Sequence, residues 1–400
     1  MSDAIRTIHV HTAPSYAVSI GAGLLRCCGE TLRTILPICH VAVITDSNVA
    51  PLYLDTVCES LRAAGYAVSS HVFPAGEAHK NLETLSDILE FLAESQLTRA
   101  DCIAALGGGV TGDMAGFAAG CYLRGIRCVQ LPTTLLSAVD SSVGGKTAID
   151  LKAGKNLAGV FLQPAAVLCD TDCLASLPAA VFADGAAEAI KTGVLSDESL
   201  FSLFEDGTLT SAPADVIARC VAYKAGVVER DEKEQNERRA LNLGHTIGHA
   251  LEKCSDYTIP HGHAVAAGLA IMARAAEKLG WTDEPIAERI AACLAKNGLP
   301  TDTEYSAEAL TAAALRDKKR AGDSITIVVP KKIGLCELKK LPVVELSSVI
   351  AAGLEGCYER SDLSPQTLRR CDPAPQQIHG PPGGAGPDAV HPPRNHLQSG

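Results

Sequence analysis

Residues 101–120 read DCIAALGGGVTGDMAGFAAG. Asp101–Leu106 is apolar and short, which predicts a buried strand, and it runs straight into Gly107-Gly108-Gly109. MAGFAAGCYL (114–123) then has the texture of a helix. Gly107, Gly109 and Gly112 satisfy G-x-G-x-x-G. Such a turn lets backbone approach a pyrophosphate, and the helix start adds N–H groups and the positive end of its dipole. A tight turn in an ordinary α/β unit has the same pattern. The acidic residue expected after a second strand is not at the usual spacing, whereas Asp46 and Asn48 follow an earlier strand. This predicts a nucleotide domain that is not a standard Rossmann arrangement.

Further strands are predicted at His40–Thr45, Ala67–Phe73 and Cys128–Leu131, with helices at Leu52–Ala64 and Leu82–Ser95. Strand–helix alternation implies a mostly parallel sheet covered by helices. After Leu177 the chain becomes alanine-rich with helical periodicity: Ala179–Leu195, Ala214–Arg230, Ala240–Cys254, His263–Leu279 and Glu284–Lys296, plus one late strand at Ser324–Pro330. We therefore expect an α/β domain over 1–177, a mainly helical domain over 178–357, and a Pro/Gly-rich, disordered tail over 358–400.

With 47% hydrophobic residues in 400, there is enough apolar mass for a large core, and at 4% aromatic that core must be aliphatic. A net charge of −11 argues against nucleic acid as a partner. It does not exclude an anionic substrate, which needs only local cations. The first ten residues lack a long apolar core, and no apolar run reaches the roughly 20 residues that span a bilayer. The 15 cysteines include no C-x-x-C pair, so reduced thiols and a cytoplasmic location are expected.

A second motif is Pro132-Thr133-Thr134 followed by Asp140-Ser141-Ser142-Val143-Gly144-Gly145-Lys146-Thr147. Its end resembles a P-loop, but Asp140 stands where the first P-loop glycine belongs, which rejects triphosphate hydrolysis. What remains is a glycine-rich bend delivering Lys146, then Lys152 and Lys155-Asn156, which suits an anionic ligand or, alternatively, a solvated loop.

The third constellation is metal-like. Glu188 and Lys191 lie at i and i+3, His245 and His249 at i and i+4, and His261 follows a turn containing Pro260. Position 246 is Thr, so the general base of the H-E-x-x-H proteases is missing. Two or three histidines with a carboxylate form a catalytic zinc set with a position open to substrate oxygen. Lys224, Arg238, Asn242 and RDKKR (316–320) add cations and an amide nearby, and Glu77 and Lys80 stand in PAGEAHK.

Taken together, these residues resemble the 3-dehydroquinate synthase family. The blocks that carry the resemblance are TDSNV, PAGEAHK, GGGVTGDMAGFAAG, YLRG, LPTTLLSAVDSSVGGKTAID, GKNLAGVF, AAEAIKTG, DEKE, RRALNLGHTIGHA and DKKR, spread over about 38–334. The resemblance implies an α/β N-terminal nucleotide-binding domain plus an all-α C-terminal domain, with the active site between them. It implies conversion of 3-deoxy-D-arabino-heptulosonate 7-phosphate to 3-dehydroquinate and phosphate, with NAD and Zn2+ (or Co2+) as cofactors, in a homodimer. The metal ligands would be Glu188, His245 and His261. NAD would meet Asp46, Asn48, Glu77, Lys80, Gly107, Gly108, Gly109 and Asp113. It would also meet Thr133, Thr134, Asp140, Ser141, Lys146 and Lys155. Catalytic duty would fall to Lys146, Lys191, Lys224, Arg238, Asn242 and His249. Substrate would be held by Asp140, Asn156, Lys318 and Lys319, with Arg124 reaching the phosphate site of a neighbouring subunit. The chain departs from the family at His263, where Glu is usual, and at Asn236, where Gly is usual. Asn tolerates left-handed backbone, so the second change should be mild. His263 would either disturb the surroundings of the metal or serve as an alternative ligand.

Overall fold

The glycine-tipped strand lies inside the sheet. In the computed structural model, which describes residues 5–207, 212–316 and 323–354, all six residues of β5 (Cys102–Gly107) are buried. That is the environment a continuous apolar strand requires. Its neighbours β3 (His40–Asp46) and β6 (Arg127–Pro132) pair with it in parallel. β4 (Ala67–Phe73) forms one edge beyond β3, and β9 (Ala166–Asp170) follows β6. β2 (Tyr16–Gly21) runs parallel to β9, and β1 (Arg6–Val10) closes the other edge antiparallel to β2. The seven-stranded order is β1-β2-β9-β6-β5-β3-β4.

The chain passes from β3 to β4 on one side, then crosses back from β4 to β5 on the other side of β3, so the strand order reverses there. This topological switch point sits at the carboxyl ends of β3 and β5, where ligands bind in open α/β sheets. Asp46 and Gly107 end those two strands. Helices Cys28–Arg33 and Ala50–Ala63 cover one face of the sheet around Leu32, Val57 and Leu61. Helices Leu82–Glu94 and Gly109–Cys121 cover the other around Ile88, Leu92 and Met114. The Asn81 side chain caps the first of these by accepting from Thr84 N at 3.0 Å.

The helical part begins with Ala179–Ser196 and continues through Glu198–Asp206, Pro213–Arg230, His245–Cys254, His261–Lys278, Ala287–Lys296 and Ala307–Arg316 to Leu346–Leu354. It also carries an antiparallel ribbon of β10 (Ser324–Lys332) and β11 (Leu335–Pro342), of which only the first strand was expected. The expected tail over 358–400 lies outside the described residues. None of the described helices is long and apolar enough to cross a membrane.

Three local expectations change. The helix expected from Ala240 starts at His245, after a short turn of 3-10 helix over Glu237–Asn242. Gly244 separates the two with φ +77, and a Cβ there would lie 2.8 Å from Val265 O. The helix expected from His263 starts at His261, because Pro260 (φ −59) stands immediately before its first turn. His245 and His261 thus open two packed helices. The bend after Gly145 is a hairpin, β7 (Lys146–Leu151) paired with β8 (Gly154–Phe161).

Candidate active site

At the switch point, Asp46 is held by its own turn. Its Oδ1 accepts from Asn48 N at 2.9 Å and Val49 N at 3.1 Å, and its Oδ2 accepts from Thr111 Oγ1 at 2.9 Å. Thr133 N donates to Gly107 O, and Thr134 Oγ1 lies 2.9 Å from Ser137 Oγ. Ser141 Oγ stands 3.2 Å from where a Cβ of Gly109 would be. Asp46, Asn48, Gly107–Gly109, Thr133, Thr134 and Ser141 are therefore gathered at the ends of β3, β5 and β6.

A second group of expected residues meets on the hairpin side. Buried Lys80 donates to Asp113 Oδ2 and to Asn156 Oδ1, both at 2.6 Å. Burial opposes the Lys80 charge, but Asp113 and Glu77 outweigh it and hold its pKa above the usual value. Lys155 Nζ reaches Glu77 Oε1 at 3.3 Å. Asp113 therefore faces Lys80, away from the glycine turn's own backbone.

Between these groups and the helices, Lys224 Nζ donates to the Asp140 carboxylate and to Asp140 O, both at 2.7 Å. Lys146, at the start of β7, ion-pairs Glu234, whose other oxygen accepts from Asn242 Nδ2 at 2.7 Å. Burial would raise the Glu234 pKa, but Lys146, Asn242 and Arg238 together lower it further, so the carboxyl stays ionised. Arg238 is 1% exposed and is spent on the fold on two sides. Its Nη2 donates to Gly144 O at 2.9 Å and its Nη1 to Glu232 O. Gly144 N in turn donates to the Tyr16 hydroxyl at 3.0 Å. The Arg238 Nε is buried without a partner.

The metal-like set comes together on three helices. Glu188, on Ala179–Ser196, is 1% exposed, so its carboxylate depends on the side chains around it. Its Oε1 lies 3.6 Å from His245 Nε2 and 3.5 Å from His261 Nε2. Its Oε2 ion-pairs Lys191, one turn along the helix. The three ligand atoms fall within 4.8 Å of one another. The ring nitrogens also have suitable roles. His245 Nδ1 faces Leu243 O at 3.1 Å, which directs its proton there and leaves the Nε2 lone pair toward Glu188. Burial, reinforced by Lys191, pushes the His245 pKa down to about 3, so the ring is neutral. For His261 burial is outweighed by the carboxylates of Glu188 and Glu252 that face its two ring nitrogens, and its pKa rises to about 10, so an ion bound beside Glu188 would have to displace its Nε2 proton. A divalent ion fits this donor set: one buried carboxylate oxygen and two imidazole nitrogens close together, a mixed N/O set, with Glu252 behind one of the rings.

His249 is exposed, with its ring 5.2 Å from that of His245 and 5.9 Å from that of His261. His263 turns away to Asp184, with Nδ1 3.1 Å from Oδ1, and belongs to neither His/carboxylate group among the described residues. Asn236 is not left-handed (φ −136); the strained residue of that loop is Glu234, with φ +57. Arg124 is exposed in a left-handed run, Leu123 (φ +50), Arg124 (φ +69) and Gly125 (φ +120), and no ion pair among the described residues holds it. Lys318 and Lys319 lie outside the described residues.

Two acidic residues in the site had no role in the sequence reading. Glu234 was part of the DEKE block without a function. Glu252 follows His245 and His249 at i+7 and i+3, a helical spacing that would have placed it on their face.

A glycine turn at a sheet switch point, facing a helical frame with a carboxylate–histidine set, defines a nucleotide- and metal-dependent enzyme. Comparison with known proteins agrees. The family model for the 3-dehydroquinate synthase N-terminal part matches residues 70–184, and the one for the C-terminal part matches 185–320. A 3-dehydroquinate synthase of Clostridium kluyveri is 40% identical over 338 residues, 83% of this chain and 94% of that protein. One of Neisseria gonorrhoeae is 44% identical over 352 residues, 86% of this chain and 96% of that protein. The crystal structure of 2-deoxy-scyllo-inosose synthase with carbaglucose-6-phosphate, NAD+ and Co2+ is 26% identical, with a TM-score of 0.77 over 87% of this chain and 100% of that one. The class is thus that of the sugar-phosphate cyclases. Within it, the chain belongs to the 3-dehydroquinate synthase family.

Proposed function

We propose that this chain converts 3-deoxy-D-arabino-heptulosonate 7-phosphate to 3-dehydroquinate and phosphate, with NAD at the switch point and a divalent ion on Glu188, His245 and His261. The observation that carries the reading is Glu188: a carboxylate 1% exposed, paired with Lys191 through Oε2 and facing two imidazole Nε2 atoms through Oε1. The reaction oxidises C5 transiently, eliminates phosphate with loss of the C6 proton, reduces C5 again, and closes the carbocycle by an intramolecular aldol step. When bound, the ion supplies Lewis-acid polarisation of substrate oxygens, and NAD accepts and returns the hydride.

The chain's own residues orient the substrate and move protons. Lys146, Lys191, Lys224 and Arg238 supply positive charge for its carboxylate and phosphate. Asn242 and Asn156 supply amide contacts. Glu234 holds Lys146 and Asn242 in the ligand-free protein, so substrate entry displaces it from them. His249, exposed beside the other two rings, is the proton relay at a substrate hydroxyl. Lys318 and Lys319 would complete the grip on the anion.

The homodimer is part of this reading, with Arg124 serving the phosphate site of the second copy. Its exposed position in a left-handed run supports that role, since such strain persists where function requires it. Mixing Arg124→Ala protein with Lys146→Ala protein should restore activity, because one site of each mixed dimer is complete. A mixture as inactive as its parts sinks the role in trans. A cytoplasmic location fits the reduced, buried thiols of Cys28, Cys102 and Cys128.

The deciding experiment is phosphate release from the heptulosonate phosphate, with and without chelator and NAD. Release should require both cofactors and leave no net NADH. Accumulating NADH would make the chain a polyol dehydrogenase, and turnover of other heptulose phosphates alone would make it a different cyclase.

A further inference from the structure

One carboxylate in the site faces both halves of the molecule. Glu252 is 2% exposed and lies on helix His245–Cys254, two turns after His245. Its Oε2 is 3.4 Å from His261 Nδ1, the ring nitrogen on the far side from Glu188. Its Oε1 accepts from Lys155 Nζ at 3.0 Å. Lys155 comes from β8, not from the helices. Its ammonium also reaches Glu77 and lies 4.7 Å over the Tyr257 ring. Each oxygen of this buried carboxylate has a partner, which offsets the cost of burying its charge. Here the two partners are a ligand residue of the ion and a lysine of the hairpin beside the cofactor side.

We propose that Glu252 is a positioning residue that couples ion binding to the seating of the β7–β8 hairpin, and through Lys155 to NAD binding. The proposal rests on Glu188, His245 and His261 being the ion ligands. With His261 Nε2 turned to the ion, its Nδ1 proton points at Glu252, which fixes the ring plane and raises its basicity as a ligand. The same carboxylate then holds Lys155 at one place. Coupling of this kind is reciprocal: if the ion tightens NAD, NAD tightens the ion by the same factor.

The test uses the full chain, stripped of metal, with Zn2+ affinity measured by chelator competition and NAD+ affinity by calorimetry with and without Zn2+. Glu252→Gln should weaken Zn2+ by about 10- to 100-fold, as loss of such an outer partner does. It should also abolish the difference in NAD+ affinity that Zn2+ produces in the wild type. Lys155→Met should keep Zn2+ affinity within about threefold of the ion affinity of NAD-free wild type, yet lose the same coupling. Wild-type Zn2+ affinity in Glu252→Gln, or unchanged coupling in either variant, overturns the proposal. If Glu252→Gln does not fold, Glu252→Asp, with a shorter reach, must show the loosening instead, and wild-type affinity there is equally fatal. His245→Ala separates the two levels. Zn2+ retained in His245→Ala defeats the ligand set itself, whereas Zn2+ lost there but held normally by Glu252→Gln defeats only the role of Glu252.

Discussion

The sheet side and the helical side of the site treat their polar groups in opposite ways. Near the strands nearly every candidate is already paired: Asp46 with Thr111, Lys80 with Asp113, Lys224 with Asp140. On the helices, Glu188 is buried with Lys191 on one oxygen, while the other faces only the imidazoles of His245 and His261. In the proposed reading, the first region would give up internal pairs for ligand contacts. The second is held ready, since it stands on closely packed helices: a Cβ on Gly268 would lie 2.2 Å from Gly244 O, so only glycine lets the His245 and His261 helices approach this far. A site built this way would hold its ion rigidly and its organic ligands adaptively.

The contrast is broken most severely at Glu188. Glu188→Gln should lower phosphate release by at least about a thousandfold, the upper range for removing one electrostatic stabiliser. It should lose stoichiometric Zn2+ while its NAD+ affinity stays that of ion-free wild type. Normal Zn2+ content by elemental analysis would contradict the helical half of the comparison. Next comes the paired half. Lys80→Met leaves Asp113 buried without its cation, and should cost about 3–5 kcal/mol in urea unfolding. A loss below 1 kcal/mol would mean the pair is not part of the frame. Lys146 is half exposed, and its ion pair with Glu234 is of the kind that gives way. Lys146→Ala should keep the wild-type melting temperature and weaken substrate binding by roughly 30-fold, about 2 kcal/mol. Unchanged Michaelis kinetics would remove it from the site.

The smallest effect is expected away from the chemistry. Asp101 precedes β5 and accepts from His40 N at 2.7 Å and from Thr98 N at 2.6 Å. Burial pushes its pKa up, but these hydrogen bonds pull it further down, so the folded value lies below the ordinary one. A depressed folded pKa stabilises the protein above the unfolded pKa, near 4, and that contribution is lost as pH falls through the folded value. Asp101→Ala should therefore cost about 1–2 kcal/mol at pH 7, and the gap to wild type should narrow below pH 4 in denaturant titrations. A gap that does not change with pH would mean that packing, not charge, is what Asp101 provides.

How much was legible follows the same contrast. The strand into Gly107, the order of strands and helices, and the histidine spacing were readable, because periodicity and glycine placement act over a few residues. The helix was expected two residues late, from His263 and not His261, because Pro260 reads as a breaker, although a proline is well suited to a helix start. The hairpin over Lys146–Phe161 was read as a bend, since Gly144, Gly145, Gly154 and Gly159 mask its alternation. The strands β1, β2 and β9 are short, and nothing local marks them. Arg238 was expected among the site cations, but its contacts to Gly144 and Glu232, which bury it, were not foreseen. Those contacts span distances in sequence that no local pattern records.

The first two strands also set a timetable. Val10, Tyr16, Val18 and Ile20 pack into the helical core, not against the helices of their own half, and Arg6 pairs with Asp215, 209 residues later. During synthesis at about 5–20 residues per second, these strands wait roughly 10–40 s for the segment they dock against. Until then an emerging chain carries an unmatched apolar edge, and a holding chaperone has a reason to stay on it.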